Sequence, residues 1–204
     1  MFRMYLLVVA LYVVQISSVS AQTNNADVCV VESVEGRAMV WVPGTRQLVA
    51  EIGLGLPLEA NLKTDDNARV SLLCRNTLNV VVGASTEIRV YKLVPGGRQP
   101  IALRLLKGIA GFIFESDEDD GVQVRTPSAV AAIRSTEWAM RVQNDSTAVF
   151  ARDGSVYVLA TGGDSVSLGP GDGIDITASG DMATVVQWGQ SRIDLFSELL
   201  GPEW

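Results

Sequence analysis

Along most of this chain, apolar and polar residues alternate with the period of two that is typical of β-strands. Clusters of glycine, proline, asparagine and aspartate separate these stretches, as turns between strands do. The alternating apolar sets are Ala38/Val40/Val42, Val70/Leu72/Cys74, Leu78/Val80/Val82, Ile88/Val90, Trp138/Met140/Val142, Val156/Val158 and Ile174/Ile176. The predicted turns include Pro43-Gly44, Pro95-Gly96-Gly97, Asn144-Asp145, Asp153-Gly154, Gly162-Gly163-Asp164 and Gly169-Pro170-Gly171-Asp172-Gly173.

This pattern predicts an all-β fold, a twisted β-sandwich or β-coil of short antiparallel strands. Helical spacing recurs in the tail, which we predict to be a short helix from Ser191 to Leu200. Its shared apolar face would consist of Ile193, Phe196, Leu199 and Leu200. A helix this short is marginal alone. We therefore expect it to dock on the sheet, and the alternative is a segment that binds a partner.

The first 21 residues have the pattern of a secretory signal peptide. Arg3 precedes an unbroken apolar run from Leu6 to Val14, and Val19-Ser20-Ala21 offers small residues for cleavage after Ala21. The alternative is a short membrane anchor, but a span needs about 20 apolar residues. We therefore expect the mature protein to lie in the periplasm, or to be secreted, with no membrane span after cleavage.

Charge and composition narrow the possible functions. The chain has a net charge of −7, and removing Arg3 leaves 15 basic against 23 acidic residues, a net charge of −8. That balance argues against nucleic acid and anionic membranes, which require a basic surface. The absence of histidine excludes Ser-His-Asp and Cys-His catalysis and histidine-based zinc sites. Because no paired carboxylates are recognisable either, we expect a non-enzyme without metal or cofactor; a carboxylate-only hydrolase is the alternative.

Cys29 and Cys74 are the two cysteines of the chain, and both fall in strand-like stretches. In an oxidising compartment an isolated pair tends to form a disulfide. The alternative is two buried free thiols that act as small hydrophobic side chains. We predict the Cys29–Cys74 disulfide.

Two segments rich in carboxylates invite comparison with calcium sites. The run Glu115-Ser116-Asp117-Glu118-Asp119-Asp120-Gly121 lacks the ligand order of an EF-hand loop. The segment Gly169–Asp175 holds a single copy of a glycine/aspartate pattern that binds calcium only in stacked series. We expect a solvated loop in the first case and a tight turn before a strand in the second.

Four tryptophans, at positions 41, 138, 188 and 204, could form a surface on which a ligand stacks. Aromatic residues of β proteins more often pack in the core. Trp138 alternates with Met140 and Val142, so we assign it to the core. Trp41 shares a strand face with Arg37 and Met39, so we expect it to be more exposed and name it as the candidate ligand-binding residue.

Two groups of motifs follow one another in a fixed order. The first comprises Val34–Val40, Gly55–Leu58, Leu62–Thr64 and Ala68–Leu72, and the second comprises Leu105–Gly108, Val124–Ala129 and Ile133–Trp138. Together they resemble the FecR domain family. The most distinctive signature of that family, Thr-Pro-x-Ala followed by Arg-Gly-Thr-x-Phe, is similar to Thr126, Pro127, Ala129, Arg134, Thr136 and Trp138 here. Ser135 stands where the family usually has glycine.

The signature residues also have a reading that is independent of the family. Pro127 fixes its own φ and biases Thr126 toward extended backbone. Small alanines, Ala129 among them, permit layers to approach closely. Arg134 is then a candidate structural charge, paired with Glu137 or with backbone carbonyls, and ligand binding is the alternative.

The resemblance implies a domain organisation and a function class. We expect a signal peptide at residues 1–21, a FecR-like β domain at 28–178, and a C-terminal extension with the short helix at 179–204. Better-known relatives are periplasmic parts of transmembrane sigma-factor regulators, and we expect this chain to lack their cytoplasmic segment and membrane span. The expected function is therefore binding to another envelope protein, in interaction or sensing. The alternative is a module that binds a cell-wall glycan or small ligand through Trp41.

Overall fold

The structure, a computed structural model, describes residues 27–42, 44–91, 100–114 and 121–204, without the side chains of Arg134 and Ser135. Several predictions lie wholly or partly outside the described residues: the signal peptide at 1–21, Pro43 of the turn at Pro43-Gly44, the turn at Pro95-Gly96-Gly97, and the acidic run at 115–120. The same holds for the side-chain role of Arg134. Among the residues described, no helix is both long and apolar enough to cross a bilayer.

Fifteen strands and one helix make up the described fold. The strands are β1 (Asp27–Glu35), β2 (Ala38–Trp41), β3 (Leu48–Val49), β4 (Gly55–Pro57), β5 (Asn61–Thr64), β6 (Arg69–Cys74), β7 (Leu78–Val82), β8 (Glu87–Tyr91), β9 (Ile101–Phe114), β10 (Val122–Arg125), β11 (Ala129–Gln143), β12 (Ser146–Ala160), β13 (Ser165–Leu168), β14 (Asp172–Ile176) and β15 (Val186–Gln187). The helix, α1, spans Gln190–Leu200. The all-β prediction with a short C-terminal helix is confirmed.

Three long strands, β9, β11 and β12, run through two halves of one twisted sheet. Residues 101–107, 129–133 and 156–160 of these strands belong to one half of the sheet, where they pair with β8, β10 and β13. The strands β5, β2 and β3 extend this half, which we call the open half. The other parts of the three long strands pair with β7 and β14, and β6, β1, β4 and β15 extend this second half, which we call the capped half.

The long strands differ from the short antiparallel strands that the sequence predicted. Asp153-Gly154, predicted as a turn, lies inside β12, where Gly154 has φ 71° and the β11–β12 register shifts on both sides. An extra residue there forms a bulge that bends the strand and leaves it continuous. Gly108 has φ 88° inside β9, between the part that pairs with β8 and the part that pairs with β7. In addition, β10 pairs with β9 in parallel.

The main hydrophobic core contains buried residues from both halves of the sheet. Val40, Leu62 and Leu103 come from the open half, and Leu72 and Trp138 come from the capped half. Trp138 is fully buried and stacks on Phe112, with ring centroids 4.6 Å apart. The assignment of Trp138 to the core is therefore confirmed.

A disulfide joins Cys29 and Cys74 within this core, in the predicted pairing. The two residues stand directly opposite each other in the antiparallel β1–β6 pair. Both are fully buried. The bond joins β1 to β6 within the capped half.

A second core lies on the outer face of the capped half, where the C-terminal segment covers the sheet. Phe196 and Leu200 of α1 are buried there, as the apolar face of the predicted helix requires. Trp188 stacks on Phe150 with centroids 4.9 Å apart. A Cβ atom at Gly111 or Gly173 would overlap the indole of Trp204 or Trp188, respectively. These glycines therefore provide the space that the two rings occupy.

Candidate functional site

The first part of the signature forms the tight connection between β10 and β11. The N–H of Thr126 donates to the Ala129 carbonyl at 2.8 Å, and the N–H of Ala129 donates to Thr126 Oγ1 at 2.9 Å. The hydroxyls of Thr126 and Ser128 each lie 2.7 Å from Thr147 Oγ1. Pro127 is exposed at the tip. Buried hydroxyls that satisfy one another in this way fix the turn against the start of β12.

The second part of the signature lies in the strand that follows. Thr136 is buried, and its hydroxyl donates to the Ser155 carbonyl at 3.1 Å. Glu137, considered as a partner of Arg134, accepts a hydrogen bond from Arg152 at 2.7 Å. With Trp138 in the core, the described side chains of the signature build the scaffold.

The outer face of the open half carries a row of three arginines, Arg89, Arg104 and Arg125, which we call the arginine row. Arg89 is the direct cross-strand partner of Arg104, and Arg104 is the direct partner of Arg125. All three side chains are half-buried, and their strand neighbours alternate into the core. Neighbouring strands lie about 4.8 Å apart, so three guanidinium-bearing side chains follow one another at close spacing.

The row continues on both sides with residues of different chemistry. Asn61 and then Trp41 are the next cross-strand partners beyond Arg89. Val130 and then Leu159 follow beyond Arg125. Trp41 is 44% exposed and Leu159 is 40% exposed, so both ends of the row offer apolar surface to solvent.

Several polar groups along the row have no partner. Within the described ranges, no carboxylate lies within ion-pair distance of the arginine row. Arg104 and Arg125 instead lie over the ring of Tyr91, with Cζ 5.1 Å and 5.6 Å from its centroid. Nε of Arg89, Nε of Arg125 and Oδ1 of Asn61 are buried without a hydrogen-bond partner, whereas Nδ2 of Asn61 donates to Oε1 of Glu87 at 2.9 Å on the same face. Buried polar atoms are normally satisfied, so this face has unused donors and acceptors.

The other candidates from the sequence behave differently. Trp138, Trp188 and Trp204 are buried, so the four tryptophans do not form one exposed surface. Trp41 is exposed, but its role in ligand binding stays a prediction. In the segment from Gly169, the Asp172 carboxylate accepts from the Gly169 N–H at 2.9 Å and closes a turn before β14. Among the described residues, no three His, Cys, Asp or Glu side chains are placed to hold a metal ion.

Sequence reasoning missed the arginine row because its members are far apart in the chain. Each lies at a polar position of an alternating strand, which is an ordinary place for an arginine. Their adjacency depends on the register of β8, β9 and β10. The parallel pairing of β9 and β10 leaves no hairpin turn in the sequence that could reveal that register.

Comparison with known proteins places these features in context. A family model described as FecR protein matches residues 60–157. Two crystal structures of a candidate anti-sigma factor from Parabacteroides distasonis ATCC 8503 share the fold, each with a TM-score of 0.56 and 17% sequence identity. Each alignment covers 66% of this chain and 62% of the other, so the chain spans less than two thirds of that protein. No curated protein matches the chain.

Proposed function

We propose that this chain, whose residues 60–157 match the FecR protein family model, is an exported, non-enzymatic regulatory module of the cell envelope that acts by binding another envelope protein. The observation that carries this proposal is the contrast between the two outer faces of the sheet. The C-terminal segment covers the capped half, whereas the open half carries half-buried arginines and exposed Trp41 and Leu159. Arginine and tryptophan are the residues most enriched in protein-binding hot spots.

The fold supports a regulatory role. The similar structures belong to a candidate anti-sigma factor, a class of proteins that act by binding other proteins. The chain contains no histidine, which removes the commonest catalytic base. These points support binding as the activity.

Cross-linking in intact cells tests the proposal. A tagged chain at native expression is treated with a short amine- and carboxyl-reactive linker, and the adducts are identified by mass spectrometry. We expect one envelope protein to be enriched over a tagged periplasmic protein of similar size and charge. Recovery of no specific adduct in repeated experiments would contradict the proposal.

Export has a separate test. Cleavage after Ala21 makes Gln22 the first residue of the mature protein, so mass spectrometry of the periplasmic fraction reads the processing site directly. A chain that begins at Gln22 without the leader should stay in the cytoplasm. An uncleaved chain in the membrane fraction would support the anchor alternative.

The exposure of Trp41 favours a second candidate function, the binding of a cell-wall glycan. Aromatic side chains offer an apolar face with little loss of conformational entropy. Retention of the wild type on insoluble peptidoglycan, its loss in Trp41→Ala and its rescue in Trp41→Phe would support this function. Failure of the wild type to be retained would exclude it.

A further inference from the structure

The arginine row differs from three other arginines of this protein in how its charge is balanced. Arg69, Arg152 and Arg192 each bind a carboxylate, at 2.8 Å from Glu35, 2.7 Å from Glu137 and 2.5 Å from Asp175. In the described part of the chain, no carboxylate balances Arg89, Arg104 or Arg125. The chain is acidic overall, so carboxylates are not scarce. The row is therefore a local concentration of positive charge on an acidic protein.

This arrangement is unfavourable for the isolated protein. Like charges directly opposite each other on neighbouring strands destabilise a sheet. Here the repulsion occurs twice in succession, between Arg89 and Arg104 and between Arg104 and Arg125. The buried Nε atoms of Arg89 and Arg125 add unsatisfied donors. An external group that supplies several carboxylates would relieve the repulsion between these guanidinium groups.

The spacing of the row indicates the shape of that group. The row runs across the strands, so successive arginines are about 4.8 Å apart and the three span about 10 Å. On a helix, carboxylates at positions i, i+4 and i+7 span about 10.5 Å. In an extended peptide, carboxylates on one face recur only every 6.6–6.8 Å or so, and three would span about 13 Å. A helical stripe therefore fits the row better than a strand does.

We propose that the arginine row is the docking site for an acidic helix of a partner protein, with carboxylates at i, i+4 and i+7. Guanidinium groups bind carboxylates in a bidentate manner, and stacking on Tyr91 restricts Arg104 and Arg125 before the partner arrives. Exposed Leu159 and Trp41, near the two ends of the row, contact apolar residues further along the helix.

Charge and composition favour a polypeptide over other anionic partners. A membrane or a polyanionic glycan attracts proteins through a broad basic surface, whereas this chain has a net charge of −7. The three central arginines, with apolar positions beyond them on both sides, match an amphipathic helix that carries acidic residues at its centre. The inference rests on the proposed function, since it names the chemistry of the envelope partner.

Fluorescence anisotropy with synthetic helices tests the proposal. The probe is a labelled alanine-rich peptide of about 16 residues, long enough to be helical in water, with glutamates at i, i+4 and i+7 and leucine at the next positions of the same face. Its control is an isomer of identical composition with the glutamates spread around the helix. We expect the striped peptide to bind at least about tenfold more tightly, since one such factor corresponds to a single good hot-spot residue.

Variants locate the binding on the protein. Replacing both Arg104 and Arg125 by glutamine should weaken binding of the striped peptide at least about tenfold. The matched control is Arg37→Gln, which removes the charge of an exposed arginine outside the row and should change affinity less than about twofold. Equal binding of the two isomers, or unchanged affinity in the double variant with an unchanged melting temperature, would overturn the proposal.

Two further outcomes distinguish a failure of the proposed docking site from a failure of the proposed function. Vesicles with about one third anionic lipid serve as a second probe, and arginine-dependent binding to vesicles but not to the striped peptide would overturn the polypeptide partner. If cross-linking recovers a partner equally well from wild type and from the double variant, the docking site is wrong while the proposed function stands. If wild type recovers no partner, the proposed function fails and the peptide titration still reports on the row.

Discussion

The two halves of the sheet share three strands, but their outer faces carry side chains of opposite size. On the capped half, small residues such as Gly111, Ala139 and Gly173 lie under the aromatic rings of the C-terminal segment. On the open half, the corresponding positions carry long side chains, Arg104, Arg125 and Tyr157 among them. A sheet face that another segment of the chain covers needs small residues that leave space for that segment. A face that binds a partner needs longer side chains that can contact the partner.

The C-terminal segment is an integral part of the fold, because its aromatic residues are buried against the sheet. Trp188 and Trp204 contribute to a core of their own with Phe150, Phe196 and Leu200. The indole N–H of Trp204 donates to the Trp138 carbonyl at 3.3 Å, and Glu203 binds Ser71. Among the described residues, no segment covers the outer face of the open half in this way.

The largest expected effect contrasts two aromatic residues of the same strand, β12. Phe150→Ala on the capped half removes a buried ring that contacts Trp188 and Trp204, and should cost about 3–5 kcal/mol in the free energy of unfolding. Tyr157→Ala on the open half removes a ring that is 47% exposed, and should cost no more than about 1 kcal/mol. Urea denaturation followed by tryptophan fluorescence measures both.

Equal losses in the two variants would show that the open face is covered in solution. In that case the arginine row would be unavailable to a partner. The outer faces of the two halves would then be covered to a similar extent.

The next effect concerns the disulfide, which lies in the inner core that both halves share. Replacing Cys29 and Cys74 by serine should destabilise the protein by about 3–4 kcal/mol, mainly because the unfolded chain gains freedom. Since that effect acts on the unfolded state, the difference between Phe150→Ala and Tyr157→Ala should persist in the serine background. An unchanged urea midpoint under reducing conditions would refute the contribution of the bond.

A smaller effect tests the space under the cover. Gly173→Ala places a methyl group where the Trp188 indole lies, and should cost about 1–3 kcal/mol through displacement of that ring. The matched control is Gly189→Ala, because a Cβ there meets nothing and its φ is −68°. We expect a change below about 1 kcal/mol for the control, because Gly189 is the N-cap of α1 and alanine is a poorer N-cap than glycine. Comparable losses in both variants would mean that the ring is not the cause.

Much of the inner face could be predicted from the sequence, because period-two alternation reports directly on burial. Val70, Leu72 and Cys74 are all buried, and the tail helix docks as its apolar face requires. The pairing of Cys29 with Cys74 followed because no other cysteine competes. These predictions depend on local pattern or on simple elimination.

The outer faces could not be predicted, because their properties depend on register and on tertiary contact. Asp153-Gly154 reads as a turn, but it lies in a strand whose partner holds it extended through a bulge. Gly111 and Gly173 read as weak strand residues until the indoles that fill their space are known. The arginine row requires three strands to be aligned within one residue.

The smallest expected effect compares one arginine from each half. On the capped half, Arg152 binds Glu137 at 2.7 Å and lies over the Trp204 ring at 4.9 Å, so Arg152→Gln should cost up to about 1 kcal/mol. On the open half, Arg125→Gln loses only the contact with Tyr91 and relieves repulsion from Arg104, so stability should stay equal or rise by about 0.5 kcal/mol. Thermal unfolding at about 0.05 M and about 0.5 M salt measures the stability change of each variant. The higher salt concentration should make both changes smaller, because it screens the charges. A loss in Arg125→Gln as large as that in Arg152→Gln would mean that the row stabilises the fold, and its charge would then need no partner to explain it.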